Sequence, residues 1–179
     1  HYLETFTDGN NAGWNLNDEF RDKLLSGDKD AVMRWGKMLS CKGNVGSGYQ
    51  LFIDKVNRKV PQMYKDKGLK VKASNLCSEI VLFSDSDNTY TCVLASENLR
   101  KYDERPEMLA FVGTVMLDCV ASDFIEKAKE KGNMQRALKF TEEHRALGYG
   151  VMAFHTYLLD HSIVWGSLES KFTNIKMFS

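Results

Sequence analysis

The spacing of apolar positions changes along the chain, and the changes mark its elements. From about 17 to 26, Leu16, Phe20, Leu24 and Leu25 recur at helical spacing. Asp28 and Asp30 offer N-cap chemistry for a second helix. On it Val32, Trp35 and Leu39 form one stripe, widened by Ala31 and Met38. Gly43, Gly46 and Gly48 break that helix, and Tyr49-Gln50-Leu51-Phe52-Ile53 reads as a short buried strand. Residues 54–68 are charged and contain Pro61 and Gly68, which predicts a surface excursion. Leu69 to Val71 is a short extended piece. A polar loop at Asn75 to Glu79 runs into the β-rich Ile80-Val81-Leu82-Phe83, Ser84 to Asn88 is a turn, and Thr89 to Leu94 predicts another strand.

Pro106 opens the longest predicted helix, at the first-turn position where proline sacrifices no hydrogen bond. Leu109, Val112, Met116, Cys119 and Val120 make its apolar face, continued by Phe124. Lys127 to Lys131 are solvated, and Gly132-Asn133 stops it. Ala146 to Gly150 is a glycine-punctuated strand or turn feeding a helix from about Val151 to Asp160. Residues 1–13 are polar, with turn chemistry at Asp8 to Asn11, and the last twenty residues show no clear period. Helices alternating with short apolar strands predict the α/β class, with residues 1–179 as a single partial domain.

Composition narrows the function classes. A chain of 179 residues with 43% apolar and 27% charged side chains is globular, not disordered. Lys+Arg and Asp+Glu each count 24, and a zero net charge disfavours direct nucleic-acid binding. No uninterrupted apolar run reaches the roughly 18–20 residues that span a bilayer, so no membrane is expected. The opening His1 to Thr5 has neither an initiator Met nor a signal-peptide profile, and reads as the start of a piece.

The four cysteines, at 41, 77, 92 and 119, form no C-x-x-C pair, so a zinc ribbon or thioredoxin-type motif is not expected. A disulfide framework is open on number, but a chain that can bury a core and lacks a secretion signal reads as reduced and cytosolic. Chemistry concentrates in Asn75-Leu76-Cys77-Ser78-Glu79. In an extended segment, side chains at i, i+2 and i+4 point one way. Asn75, Cys77 and Glu79 would then offer an amide, a sulfur redox centre and a general base to one small volume. Cys92 would approach Cys77 if 80–83 and 90–94 pair as strands. Most buried cysteines are merely small hydrophobes, yet a core strand would not choose the flanking Asn and Glu. Cys119 is expected in the core and Cys41 as structural, while His155 and His161 lack a metal-type partner. Gly148-Tyr149-Gly150 could cradle an anion before a helix, although close packing of strand on helix explains the glycines as well and is preferred.

The run Ser74-Asn75-Leu76-Cys77-Ser78-Glu79-Ile80 resembles the active-site signature of the large subunit of class I ribonucleotide reductases. Cys92-Val93-Leu94-Ala95-Ser96 resembles that family's second cysteine segment. Arg145-Ala146-Leu147-Gly148-Tyr149-Gly150-Val151-Met152 resembles its Leu-Gly-x-Gly-Val block, and Asp54-Lys55-Val56-Asn57-Arg58 the stretch preceding its catalytic loop. The resemblance implies part of a ten-stranded α/β barrel carrying the catalytic finger loop. It implies Cys77 as the thiyl radical that takes the ribose 3′-hydrogen, Glu79 as base for the 3′-hydroxyl, and Asn75 as hydrogen-bond partner of the ribose hydroxyls. Cys92 would be one of two reducing cysteines, with Ser74 and Leu94 joining Asn75 in substrate binding. No metal or cofactor is implied within this segment. The radical would come from a metal-containing small subunit, the substrate is a ribonucleoside diphosphate, and an external thioredoxin- or glutaredoxin-type thiol restores the cysteines. The upstream redox cysteine and the phosphate loop are missing, so a complementary piece of the large subunit is implied, with dNTP and ATP effectors bound outside this segment. The implied location is the cytoplasm, or the host cytoplasm for a viral chain. Two rivals are a cobalamin-dependent class II reductase, against which Leu76 and Ser78 argue, and a non-catalytic regulatory or assembly fragment.

Overall fold

The computed structural model describes residues 13–46, 48–75, 77–104 and 106–178; the turn expected at Asp8 to Asn11 lies outside them. The chain, read above as one partial domain, groups into two compact units that divide between Tyr90 and Thr91. The strands form two two-stranded sheets, both parallel. The α/β class therefore holds. Of the ten-stranded barrel, only part is present: among the described residues each strand has one partner, so no barrel closes.

The first unit runs β1 (Gly13–Leu16), α1 (Asp18–Leu25), α2 (Lys29–Val45), β2 (Tyr49–Phe52), α3 (Ile53–Lys59) and α4 (Gln62–Asp66). Asn17 and Asp28 cap α1 and α2, accepting from the Phe20 and Ala31 N–H groups at 2.9 Å. Gly46 ends α2 in the left-handed conformation that glycine adopts without steric cost. β1 pairs with β2, Gly13 opposite Tyr49 and Leu16 opposite Phe52. Sequence reading missed β1, because four residues squeezed against a helix show no period. Among the described side chains of α2, Ala31 and Met38 are buried and Trp35 half-buried, while Val32 and Leu39 face outward. The charged excursion at 54–68 is helical, and its Tyr64 is buried.

The second unit runs β3 (Val93–Asn98), a 3-10 turn (Leu99–Lys101), α5 (Pro106–Lys131), α6 (Gln135–His144), β4 (Leu147–Met152), α7 (Phe154–Asp160) and α8 (Leu168–Phe178). β3 pairs with β4 from Val93 opposite Leu147 to Asn98 opposite Met152. Leu99, Tyr157 and Leu158 form a core, packed by Tyr102, Phe154, Ile163 and Met177.

The long helix α5 corrects two expectations. Its buried residues are Leu117, Ala121 and Ala128, whereas Val112, Met116 and Val120 are exposed, and so is Cys119, which was expected in the core. The reason is close approach. A Cβ on Gly113 would stand 2.3 Å from the Tyr149 ring, so the helix face of Gly113, Leu117 and Ala121 lies against the sheet and the Val112, Met116 and Val120 side faces away. Because apolar residues ring the helix, α5 is also long and apolar enough to cross a bilayer by length and composition, although no uninterrupted run suggested it. It is tied to its own unit through Arg145, whose guanidinium donates to the Asp118 carboxylate at 2.6 and 2.8 Å and to the Ser122 hydroxyl at 2.9 Å.

Candidate active site

The loop that carries Asn75, Cys77 and Glu79 is not extended. It begins and ends within the first unit at Val71 and Phe83, which bridge each other antiparallel. Within it the Asn75 N–H donates to the Ile80 carbonyl (3.1 Å), and the Ile80 N–H donates back to Asn75 Oδ1 (3.0 Å). The Ser78 N–H donates to the Asn75 carbonyl at 3.2 Å, with Ser78 held at φ 67°. This tight turn replaces the expected i, i+2, i+4 alternation. It brings the predicted amide and carboxylate together: Asn75 Nδ2 donates to Glu79 Oε1 at 2.6 Å. Cys77 sits on the turn between them and is exposed. The Ser74 hydroxyl donates to the Asn75 carbonyl at 3.1 Å. Nearby, burial and the negative charge of Glu79 push the Tyr90 phenol up from its ordinary value.

The block Asp54 to Arg58 supports this loop and the start of the unit. Asp54 accepts from the Asp18 N–H at 2.8 Å, and Arg58 pairs with the Asp18 carboxylate. That hydrogen bond, chiefly, holds Asp18 below the usual carboxylate range. Asn57 spans two segments: its Nδ2 donates to the Ile53 and Val71 carbonyls at 3.0 Å, and its Oδ1 accepts from the Val71 N–H at 2.9 Å. At the other stem, the Phe83 N–H donates to the Tyr64 hydroxyl at 3.3 Å, with the Tyr64 and Phe83 rings edge to face, centroids 6.4 Å apart. Sequence reading placed Asn57 in the Asp54 to Arg58 block without a role of its own and missed Tyr64. A polar residue in a charged helix and an aromatic in an apparent excursion give no sign of which distant peptide they will hold.

Cys92 belongs to the second unit, immediately before β3. The pairing that was to bring it to Cys77 does not form: residues 80–83 are no strand, and the partner of β3 is β4. Cys92 is half-buried, and burial pushes its thiol up from the ordinary value, so it stays protonated at neutral pH. Beside it lies Gly148, where a Cβ would stand 3.4 Å from Cys92 Sγ and 2.4 Å from a Leu94 methyl. Two sequence blocks, Cys92 to Ser96 and Leu147 to Met152, are thus neighbouring parallel strands, and Gly148 serves close strand packing. Thr91 and Thr141 join their hydroxyls at 2.7 Å across this region. Leu94 itself is exposed. No disulfide joins the cysteines, and among the described residues no group of three or more His, Cys, Asp or Glu could hold a metal ion.

Comparison with known proteins supplies the context. The family described as ribonucleotide reductase, barrel domain, matches residues 21–179. The ribonucleoside-diphosphate reductase large subunit of Invertebrate iridescent virus 3 is 34% identical over 167 residues, covering 92% of this chain and 26% of that protein. The alpha subunit of the Chlamydia trachomatis enzyme is 30% identical over 168 residues, covering 87% of this chain and 15% of its own. Among solved structures, the Actinobacillus ureae class Id ribonucleotide reductase alpha subunit superposes with a TM-score of 0.85 at 37% identity, over 97% of this chain and 34% of that one. The chain spans about a quarter of the length of the viral relative.

Proposed function

The chain belongs to the ribonucleotide reductase large-subunit family, in its barrel domain, and from that membership we propose that it carries the catalytic loop of a ribonucleoside-diphosphate reductase. The observation that carries the reading is the turn that joins Asn75 to Glu79 and leaves Cys77 exposed on it. In this reading Cys77, as a thiyl radical, takes the 3′-hydrogen of the substrate ribose. Glu79 accepts the 3′-hydroxyl proton, the 2′-hydroxyl leaves as water with a proton from one of the two reducing thiols, and Cys77 returns the hydrogen to C3′ once C2′ is reduced. The Asn75 amide, already committed to Glu79 through one N–H, retains a second N–H and a carbonyl lone pair for the ribose edge. Ser74 and Leu94 line the substrate. Cys92 supplies one of the two thiols that become a disulfide as the sugar is reduced. Its protonated state suits it to deliver a hydrogen rather than to attack as a thiolate.

The second reducing thiol lies on the rest of the large subunit. The radical comes from a metal-containing small subunit, and a thioredoxin- or glutaredoxin-type protein reduces the disulfide between turnovers. Nucleotide effectors bind outside this segment, and the assembly works in the cytoplasm, that of the host if the chain is viral. The exposed apolar side of α5, with Phe111, Val112, Val115 and Met116, is the surface that the complementing portion covers. The test is reconstitution: assay deoxynucleotide formation by this chain with the remaining large-subunit portion and a small radical subunit. The expected result is activity with the full set and silence from this chain alone. After one turnover without external reductant, thiol mapping should find Cys92 in a disulfide with a cysteine of the complementing portion. Activity without that portion, or a Cys41–Cys92 disulfide, would show the redox pair to be misplaced.

A further inference from the structure

The loop of residues 71–83 has little regular structure of its own, yet its tip must hold three side chains in register. Its stem shows how. Val71 and Phe83 are both buried, and each is gripped by a side chain from the α3–α4 segment. The Asn57 amide takes both polar groups of Val71, the N–H through Oδ1 and the carbonyl through Nδ2, at 2.9 and 3.0 Å. It thereby acts as a strand partner made from one side chain, and its second donor bond, to the Ile53 carbonyl at 3.0 Å, fixes the amide on its own helix. Tyr64, 4% exposed, accepts from the Phe83 N–H and sets its ring against the Phe83 ring. From these anchored residues the chain runs only a few residues to the turn closed by Asn75 and Ile80.

We propose that Asn57 and Tyr64 are positioning residues: a two-point clamp on the stem of the 71–83 loop that sets where Cys77, and with it the Asn75–Glu79 pair, is presented to substrate. Neither touches the reacting atoms. They act through the backbone at Val71 and Phe83, whose strand-type pairing among the described residues is one isolated bridge. A single antiparallel bridge between those two residues leaves the loop free to slide unless something outside it holds both sides. Displacing a reacting group by about an ångström is enough to cost roughly a hundredfold in rate. The proposal rests on the catalytic reading of the loop, and its test separates the two.

The experiment compares Asn57→Ala, Tyr64→Phe and, as a control, the exposed Lys65→Ala. Tyr64→Phe keeps the ring on Phe83 and removes only the hydroxyl. Hydrogen exchange on the 179-residue chain is read at Val71 and Phe83, where the clamp bonds, and at Ser78 and Ile80, where only the tip reports. In the reconstituted enzyme, kcat and KM are measured separately. The expected result is faster exchange at both places in both clamp variants, greater for Asn57→Ala, with Lys65→Ala unchanged. The turnover number should fall by roughly a hundredfold for Asn57→Ala and by less for Tyr64→Phe, with KM within about twofold of the unsubstituted enzyme. Faster exchange confined to Val71 and Phe83 in a chain that still melts cooperatively would overturn the proposal, and so would a loss of turnover expressed wholly in KM. If Asn57→Ala does not fold, Tyr64→Phe decides alone by the same readings. If the unsubstituted assembly makes no deoxynucleotide, the catalytic reading fails while the tip amides still decide whether the clamp exists.

Discussion

The two units repeat one design and use it differently. Each has a strand, two helices and a second strand parallel to the first: β1-α1-α2-β2 before Tyr90, and β3-α5-α6-β4 after it. In the second unit the proposed redox residue sits at the strand itself. Cys92 precedes β3, whose six residues are held by the backbone ladder to β4, and its immediate neighbour is a glycine. In the first unit the proposed catalytic residues lie beyond the second strand, on a loop held by side chains, Asn57 and Tyr64, and by an amide–carboxylate contact. A backbone ladder tolerates most substitutions because its bonds are independent of residue type. A side-chain clamp does not. The loop half should therefore be fragile to single polar changes and the strand half fragile mainly where a side chain is added.

The sharpest way to break that contrast is at the loop tip. Cys77→Ser should abolish nucleotide reduction in the reconstituted enzyme while the fold persists, because the side chain is exposed and makes no core. Single-turnover product formation checks it, and activity within about tenfold of the unsubstituted enzyme would remove the radical role from this residue. Next in size is Glu79→Gln. The amide still accepts from Asn75 but cannot take a proton, and loss of a positioned base typically costs about 10²–10⁴-fold. A pH–rate profile unchanged in height and shape would assign the base elsewhere.

In the strand half the added methyl is the probe. Gly113→Ala places a Cβ against the Tyr149 ring, which is pinned by hydrogen bonds to Glu97 (2.8 Å) and to the Leu109 carbonyl (3.1 Å), so it cannot swing away. Overpacking of this kind costs about 1–3 kcal/mol. Gly148→Ala meets the end of the exposed Leu94 side chain, which can move, and should cost less stability while shifting Cys92. Thermal melts should rank the two in that order, and the reverse order would mean that the helix–sheet contact is looser than the distances say.

The smallest effect is electrostatic and differs in sign between the units. His161 donates from both ring nitrogens when charged, to the Tyr157 carbonyl at 2.8 Å and to the Asp103 carboxylate at 2.9 Å. The carbonyl bond first, then Asp103, raises its pKa above the ordinary 6.5. A raised value contributes stability that is complete below 6.5 and is lost as pH rises through the folded value. Asp18 is the opposite case: held low by Arg58, it contributes above its ordinary 3.8 and the contribution is lost as pH falls through the lower folded value. Melting curves read by amide exchange should show the second unit loosening slightly as pH rises above 6.5, and His161→Gln should flatten that slope. A slope that survives the substitution would place the titrating group elsewhere.

Local signals were legible where the physics is local. The caps at Asp28, Gly46 and Pro106 mark helix boundaries because they satisfy or spare backbone groups within one turn. The α/β class and the residue types of Asn75, Cys77 and Glu79 were likewise readable without coordinates, as was the strand at Tyr49–Phe52, although it is half-buried rather than buried and Ile53 opens the next helix. Tertiary structure alone decided which faces are buried. The apolar residues of α5 surround the helix, and packing against β3, β4 and α6, with Tyr149 close on Gly113, buries Leu117 and Ala121 and leaves Cys119 outside. It alone decided that β3 pairs with β4 and not with residues 80–83, since parallel pairing joins segments far apart in the chain and leaves no short-range signature. And it alone revealed the clamp, because the hydrogen-bond partners of Asn57 and Tyr64 lie 14 and 19 residues away, at peptide groups whose positions depend on the whole first unit having folded.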